Sequence, residues 1–158
     1  MSWWILPTTA DIGIRAFSSN VADLIKEMTI GLQSIQLSDE QIYEINSLNI
    51  HTGHWSIPLV NSDLERGMVR WLEEVLYLGT TEDQWLVDVS FKISDLSINA
   101  QVSWVDSNFL SREIEIKAVT MHELILREIK EGEVFPGVGA DIPSFEGPGW
   151  LAQVVLDI

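Results

Sequence analysis

The sequence predicts an α+β fold in which two amphipathic helices pack on a mostly antiparallel β-sheet. Apolar residues recur at helical spacing in residues 20–34 and 63–78, and from Trp85 onward the apolar pattern changes to period two, which is typical of strands. The chain has 158 residues, of which 46% are hydrophobic, and it shows no internal repeat or shift in composition. We therefore expect a single domain over residues 1–158.

The first helix is predicted for residues 20–34. Asn20 is a good N-cap, and apolar side chains follow it on one face at positions 21, 24, 25, 28 and 32. Two strands are predicted before this helix, at the apolar run 3–6 and in the alternating segment 12–16.

The second helix begins after the predicted N-cap Asp63 and has the most regular apolar face in the chain, at positions 64, 68, 71, 72, 75 and 76. Gly79 is predicted to end it, because glycine commonly follows the last helical residue. Between the two helices, residues 42–50 and 54–60 are predicted as strands, with Gly53 in the hairpin turn that joins them.

The second half of the chain is predicted to be mainly β-structure. The expected strands are residues 86–93, 96–104, 113–119, 122–128 and 150–158. Residues 131–149 contain three of the five prolines and five of the ten glycines, and they are predicted to form a long loop. Trp71, Trp85 and Trp104 fall on predicted core faces.

Charge and composition exclude several classes of protein. Nine Lys and Arg residues against 24 Asp and Glu residues give a net charge of −15, so direct binding to RNA or DNA is disfavoured. The chain has no cysteine, which excludes disulfide scaffolds and thiolate metal sites and fits a cytoplasmic location. No apolar run is long enough for a membrane span, and the N-terminus lacks the positive region of a signal peptide.

Two short motifs indicate chemistry only weakly. His51 and His54 could contribute to a metal site, but zinc usually needs three or four ligands, so a turn with two exposed imidazoles is favoured. Residues 137–141 resemble a glycine-rich phosphate loop, but the helix that such a loop requires does not follow them.

The two ends of the chain carry a more specific pattern. Asp11 opens an apolar strand, Asp157 interrupts another, and Ile158 follows with its α-carboxylate. If the last strand pairs near the first, these three groups converge as anionic oxygen donors, which suit a hard divalent cation such as Ca²⁺, Mg²⁺ or Mn²⁺. The alternative interpretation is that both aspartates are solvated at strand ends.

Four segments resemble the archease family, in the family's order and over almost the whole chain. They are Thr9-Ala10-Asp11-Ile12-Gly13-Ile14, Asp63-Leu64 with residues 70–77, Glu115-Ile116-Lys117-Ala118-Val119-Thr120-Met121-His122, and Val154-Val155-Leu156-Asp157-Ile158. The resemblance implies an α+β fold and a divalent metal site. The family's ligands fall at the aspartate of the first segment and at the last two residues, which are Asp11, Asp157 and Ile158 here.

The resemblance also implies a function. Archeases are small acidic protein cofactors of the GTP- and metal-dependent RNA-splicing ligase of the RtcB type, which joins tRNA halves. A member of this family is expected to promote guanylation and turnover of the ligase without being an enzyme itself. Two alternatives remain open: a metal-dependent enzyme that uses the acidic cluster, and a chaperone-like interaction module with a structural ion. No histidine lies near either chain end to act as a general base, which favours the activator.

Overall fold

The computed structural model describes residues 2–8 and 11–158; Thr9 and Ala10 of the first family-like segment lie outside the described residues. The α-helices are α1 (Val21–Ser34), α2 (Asp39–Glu44) and α3 (Leu64–Thr81). The strands are β1 (Trp3–Leu6), β2 (Ile12–Ser18), β3 (His51–Pro58), β4 (Gln84–Ile93), β5 (Ser97–Asp106), β6 (Ala118–Val119), β7 (Ile125–Ile129), β8 (Val134–Phe135), β9 (Phe145–Glu146) and β10 (Gly149–Asp157).

The first sheet joins the two ends of the chain. Its order is β1-β2-β10, and β10 pairs on its other side with β7 along its first half and with β6 at its end. Every one of these pairs is antiparallel. The β2–β10 register runs from Ser18 opposite Trp150 to Ile12 opposite Leu156. The last strand therefore lies directly beside the first long one.

The second sheet has the order β3-β5-β4 and is also antiparallel. The α+β class and the antiparallel pairing are as predicted, but the strands divide between two main sheets instead of forming one. A core shared by both sheets explains this arrangement, because α1 packs on β2, β10 and β4, while α3 packs on β3, β4, β6 and β7. The helices thus connect the two sheets through one set of buried side chains.

Both long helices begin where the sequence predicts. The Asn20 side chain accepts a hydrogen bond from the Asp23 amide, and the Asp63 side chain accepts one from the Arg66 amide. The predicted stop at Gly79 is wrong, since α3 continues to Thr81. Gly79 is buried and faces the Trp85 ring of β4, and a Cβ at this position would lie in ordinary contact with that ring, at 3.4 Å.

The segment between the helices differs from the prediction. Residues 42–50 are not a strand, because α2 and a 3₁₀ turn at Ile45–Ser47 occupy most of this range. The Ser38 side chain caps α2 by accepting from the Gln41 amide, and Ile45 packs towards the buried Trp85. Gly53 is not a turn residue either, since it lies within β3.

Two predictions for the second half of the chain also need correction. The strand expected at 113–119 is restricted to β6, and residues 113–117 are irregular. The expected loop 131–149 is a folded hairpin, in which β8 pairs with β9 and Val138 forms a bridge to Ile142. Ile142 is only 1% exposed and packs with Phe17 and Leu151, so the hairpin covers one face of the first sheet.

The glycines in this hairpin have a structural explanation. Gly139 has a φ of +54°, a conformation that suits glycine at the hairpin tip. At Gly137 a Cβ would overlap the carbonyl oxygen of Ile142. The resemblance of residues 137–141 to a phosphate loop therefore reflects the needs of a tight turn.

No α-helix in the described residues is long and apolar enough to cross a membrane.

Candidate metal centre at the chain ends

The β2–β10 pairing ends next to the two predicted aspartates. Leu156 is opposite Ile12, and the same register continued by one residue would place Asp157 opposite Asp11, the residue just before β2. Directly opposite residues in antiparallel strands have Cα atoms about 4.5–5.5 Å apart and side chains on the same face. The strand pairing that the interpretation of the sequence assumed is therefore present, since the last strand, β10, pairs with β2 and lies near the first.

Backbone contacts hold both aspartates in place while their side chains remain exposed. The Asp157 carbonyl accepts a hydrogen bond from the Lys117 amide at 2.7 Å, and the Asp11 carbonyl accepts one from the Thr8 hydroxyl. Asp11 and Asp157 are exposed, and Ile158 is 40% exposed. Because only main-chain groups are used in these contacts, the carboxylates stay available for a ligand.

The chemistry of this donor set fits a hard divalent cation. Two carboxylates on adjacent strands and the α-carboxylate of the next residue are all anionic oxygen donors. Among the described residues there is no group of three His, Cys, Asp or Glu side chains arranged to hold a metal ion. The predicted set has only two carboxylate side chains, Asp11 and Asp157, and its third donor is the α-carboxylate expected at Ile158.

The alternative metal site at the two histidines is not supported by the geometry. His51 and His54 are three residues apart in β3, so their side chains project to opposite faces of the sheet. The His51 ring stacks on Trp104 with centroids 4.4 Å apart. Both imidazoles are exposed, as predicted, but they lie in a strand and not in a turn, and they cannot share one ion.

A buried polar network crosses the β2–β10 pair and was not found from the sequence. Arg15 is only 6% exposed; its Nε and Nη2 donate to Gln153 Oε1 at 3.0 and 2.8 Å, and its Nη1 donates to the Pro136 carbonyl at 3.1 Å. The guanidinium also lies 5.0 Å from the centroid of the Phe135 ring. These contacts join β2 and β10 to the hairpin.

Arg15 is held mainly by neutral partners. Gln153 in turn donates to the Glu123 carbonyl, and Arg15 forms no salt bridge with any described residue. Burial lowers the pKa of Arg15, because removal from water disfavours the charged form. In the sequence, Arg15 alternates with apolar neighbours, and this pattern alone does not distinguish a buried arginine from an exposed one.

Sequence comparison decides the family. The model of the Archease protein family (MTH1598/TM1083) matches residues 3–158. The chain belongs to the archease family. The match spans both strands of the candidate metal centre and the folded hairpin, so these are parts of an archease domain.

Individual archeases are similar over nearly their full length. Protein archease of Methanosarcina barkeri is 26% identical, and the match covers 97% of this chain and 93% of that one. Protein archease of Pyrococcus furiosus is 24% identical, with coverage of 99% and 98%. The solution structure of Methanobacterium thermoautotrophicum protein 1598 has the same fold, with a TM-score of 0.59, 16% identity and 99% coverage of both chains. Membership of this family supports a role as a protein cofactor.

Proposed function

We propose that this protein is a non-enzymatic activator of an RtcB-type RNA ligase, and that it acts with a divalent cation bound by Asp11, Asp157 and Ile158. Family membership over residues 3–158 supports the activator role. The observation that supports the metal site is the β2–β10 register, which ends with Leu156 opposite Ile12, next to Asp157 and Asp11. The bound ion would offset the repulsion between the carboxylates, so that all of them could remain ionised side by side.

The acidic character of the chain supports a protein partner over RNA. A net charge of −15 opposes contact with a phosphate backbone and favours contact with a basic protein surface. In this proposal the ligase binds the RNA and carries out the chemistry. The protein assists guanylation and turnover through contact with the ligase.

Removing one carboxylate ligand should weaken cation binding. We expect Asp157→Asn and Asp11→Asn each to lower the affinity for Ca²⁺ or Mn²⁺ roughly tenfold or more, because the charge of the ligand set largely determines the affinity of such sites. A single glycine added after Ile158 should have a similar effect, since it converts the α-carboxylate into an amide. Isothermal titration calorimetry measures these affinities.

Asp95→Asn is the matched control for this titration. Asp95 is exposed in the connection between β4 and β5, in the other sheet, so this variant makes the same charge change away from the site. It should bind the cation like the wild type. Equal affinities in the wild type, Asp157→Asn and the extended chain would exclude the site.

The activator role predicts a specific pattern in a ligation assay. With a metal-dependent RNA ligase, GTP and cleaved tRNA, the protein should increase the ligase–GMP adduct and the number of turnovers, whereas the protein without ligase should join no RNA. Asp157→Asn should stimulate less than the wild type, and Asp95→Asn should stimulate fully. If ligase turnover is the same with and without the wild-type protein, the proposed function is wrong, even if the cation binds.

A further inference from the structure

The outer edge of the second sheet has unpaired backbone groups. β3 is an edge strand, since the sheet order is β3-β5-β4. The Leu59 amide donates to the Leu96 carbonyl, which continues the β3–β5 register, so the odd-numbered residues of β3 direct their backbone groups towards β5. The even-numbered residues Thr52, His54 and Ser56 therefore direct their N–H and C=O groups outward.

The next even-numbered position confirms this orientation. Pro58 has no N–H group, and its carbonyl accepts a hydrogen bond from Arg70 Nη1 at 3.0 Å, outside the β3–β5 ladder. Within the described part of the chain, Thr52, His54 and Ser56 form no backbone hydrogen bond beyond this ladder, and their side chains are exposed. The outer edge of β3 is thus closed at Pro58 and has open backbone groups at Thr52, His54 and Ser56.

This edge also lacks the charges that usually protect exposed strands. Residues 45–62 contain no Asp, Glu, Lys or Arg, although the whole chain carries 33 such residues. Three other edge strands have features that hinder pairing: β7 contains Arg127 and Glu128, β4 has a bulge at Leu86–Asp88, and β1 is only four residues long. Two copies of a chain with a net charge of −15 repel each other over most of their surface, but the β3 edge contributes no acidic side chain to that repulsion.

We propose that the β3 edge binds a second copy of this chain, forming an antiparallel pair about a two-fold axis at His54. In this register His54 lies opposite its own counterpart, and Thr52 lies opposite Ser56. Each of the three opposed pairs exchanges two backbone hydrogen bonds, so every open group on both edges is paired. The arrangement extends the second sheet continuously across the dimer.

The expected dimer is weak and leaves the metal centre accessible. One pair of short strands buries a small interface, so we expect a dissociation constant on the order of 10⁻⁵–10⁻⁴ M. The candidate metal centre belongs to the first sheet, whereas β3 belongs to the second. Dimer formation is therefore independent of the proposed function, and either can fail without the other.

Site-specific crosslinking tests this register, because the natural chain has no cysteine. In His54→Cys the two thiols lie next to each other across the axis, so a short bismaleimide should crosslink the dimer efficiently. Ser90→Cys is the matched control: Ser90 is exposed in the same cross-strand row, on β4, with Gln101 between it and His54. It should crosslink much less.

Sedimentation velocity over a concentration series provides the second test. The wild type should show a reversible monomer–dimer equilibrium. His54→Asp should weaken it about tenfold, because two like charges then face each other across the axis, and Ser90→Asp should leave it unchanged. A wild type that stays monomeric into the millimolar range, equal crosslinking at positions 54 and 90, or a dimer unaffected by His54→Asp would each overturn the proposal. If the β3 edge pairs only with a strand of a different protein, the wild type will also stay monomeric in this experiment.

Discussion

Replacing Trp71 with alanine should lower the free energy of unfolding by about 3–5 kcal/mol, the usual cost of removing a large buried aromatic side chain. Trp71 is 0% exposed and lies on α3, at the centre of the core shared by both sheets. Its ring contacts Phe91 edge-on, with centroids 5.0 Å apart, and Trp55 at 6.1 Å. Its Nε1 donates to the Thr29 hydroxyl on α1 at 2.9 Å.

The effect should be large because one side chain joins three parts of the structure. Loss of the indole leaves a cavity between α1, α3 and the second sheet, and it removes the hydrogen bond between the helices. Trp71→Phe keeps most of the ring contacts and removes only the bond to Thr29, so it should cost about 1–2 kcal/mol. Urea denaturation measures both variants. A loss below about 1 kcal/mol for Trp71→Ala would contradict a shared core.

Replacing Arg15 with methionine should destabilise the protein by about 2–4 kcal/mol and loosen the hairpin at residues 131–149. The variant keeps much of the side-chain volume but removes the donors to Gln153 and to the Pro136 carbonyl. Acceptors left buried without a partner are more costly than the hydrogen bonds themselves. Denaturation gives the stability, and hydrogen exchange over residues 134–146 reports the opening of the hairpin.

Two further variants separate the buried network from general loss of charge. Arg127→Met removes a cation that also lies over the Phe135 ring, at 5.6 Å, but the Arg127 side chain is 50% exposed, so the expected change is within about 0.5 kcal/mol. Combining Arg15→Met with Gln153→Leu removes both buried partners and should restore part of the stability. If Arg15→Met and Arg127→Met are equally mild, Arg15 does not anchor the hairpin.

The structure explains why some elements were predictable. The N-caps Asn20 and Asp63 act on amides three residues further along the same helix, and the apolar faces of α1 and α3 follow from helical periodicity. The strands β4 and β5 likewise show their alternation in the sequence. In each case the determining interaction is local, or depends only on which side of one element is buried.

Other elements depend on contacts between distant segments. The hairpin at residues 131–149 resembles a loop because its prolines and glycines obscure any periodicity, yet Phe145 stacks on Phe17 at 4.6 Å and Ile142 is buried. The apolar residues of 42–50 suit either a strand or a helical turn. The Ser38 cap of α2 and the packing of Ile45 against the cluster that contains Trp85 favour the helical turn.

The candidate metal centre depends both on local sequence signals and on contacts between distant segments. The sequence by itself predicted Asp11, Asp157 and Ile158 as oxygen donors, and it determined the α+β class and the two long helices. Only the tertiary structure decided the β2–β10 register that ends next to the two aspartates, the division into two sheets, and the burial of Arg15 beneath the hairpin. The physical reason is that residue type and hydrophobic periodicity are properties of the local sequence. The β2–β10 register, by contrast, depends on burying side chains from segments more than a hundred residues apart in the chain.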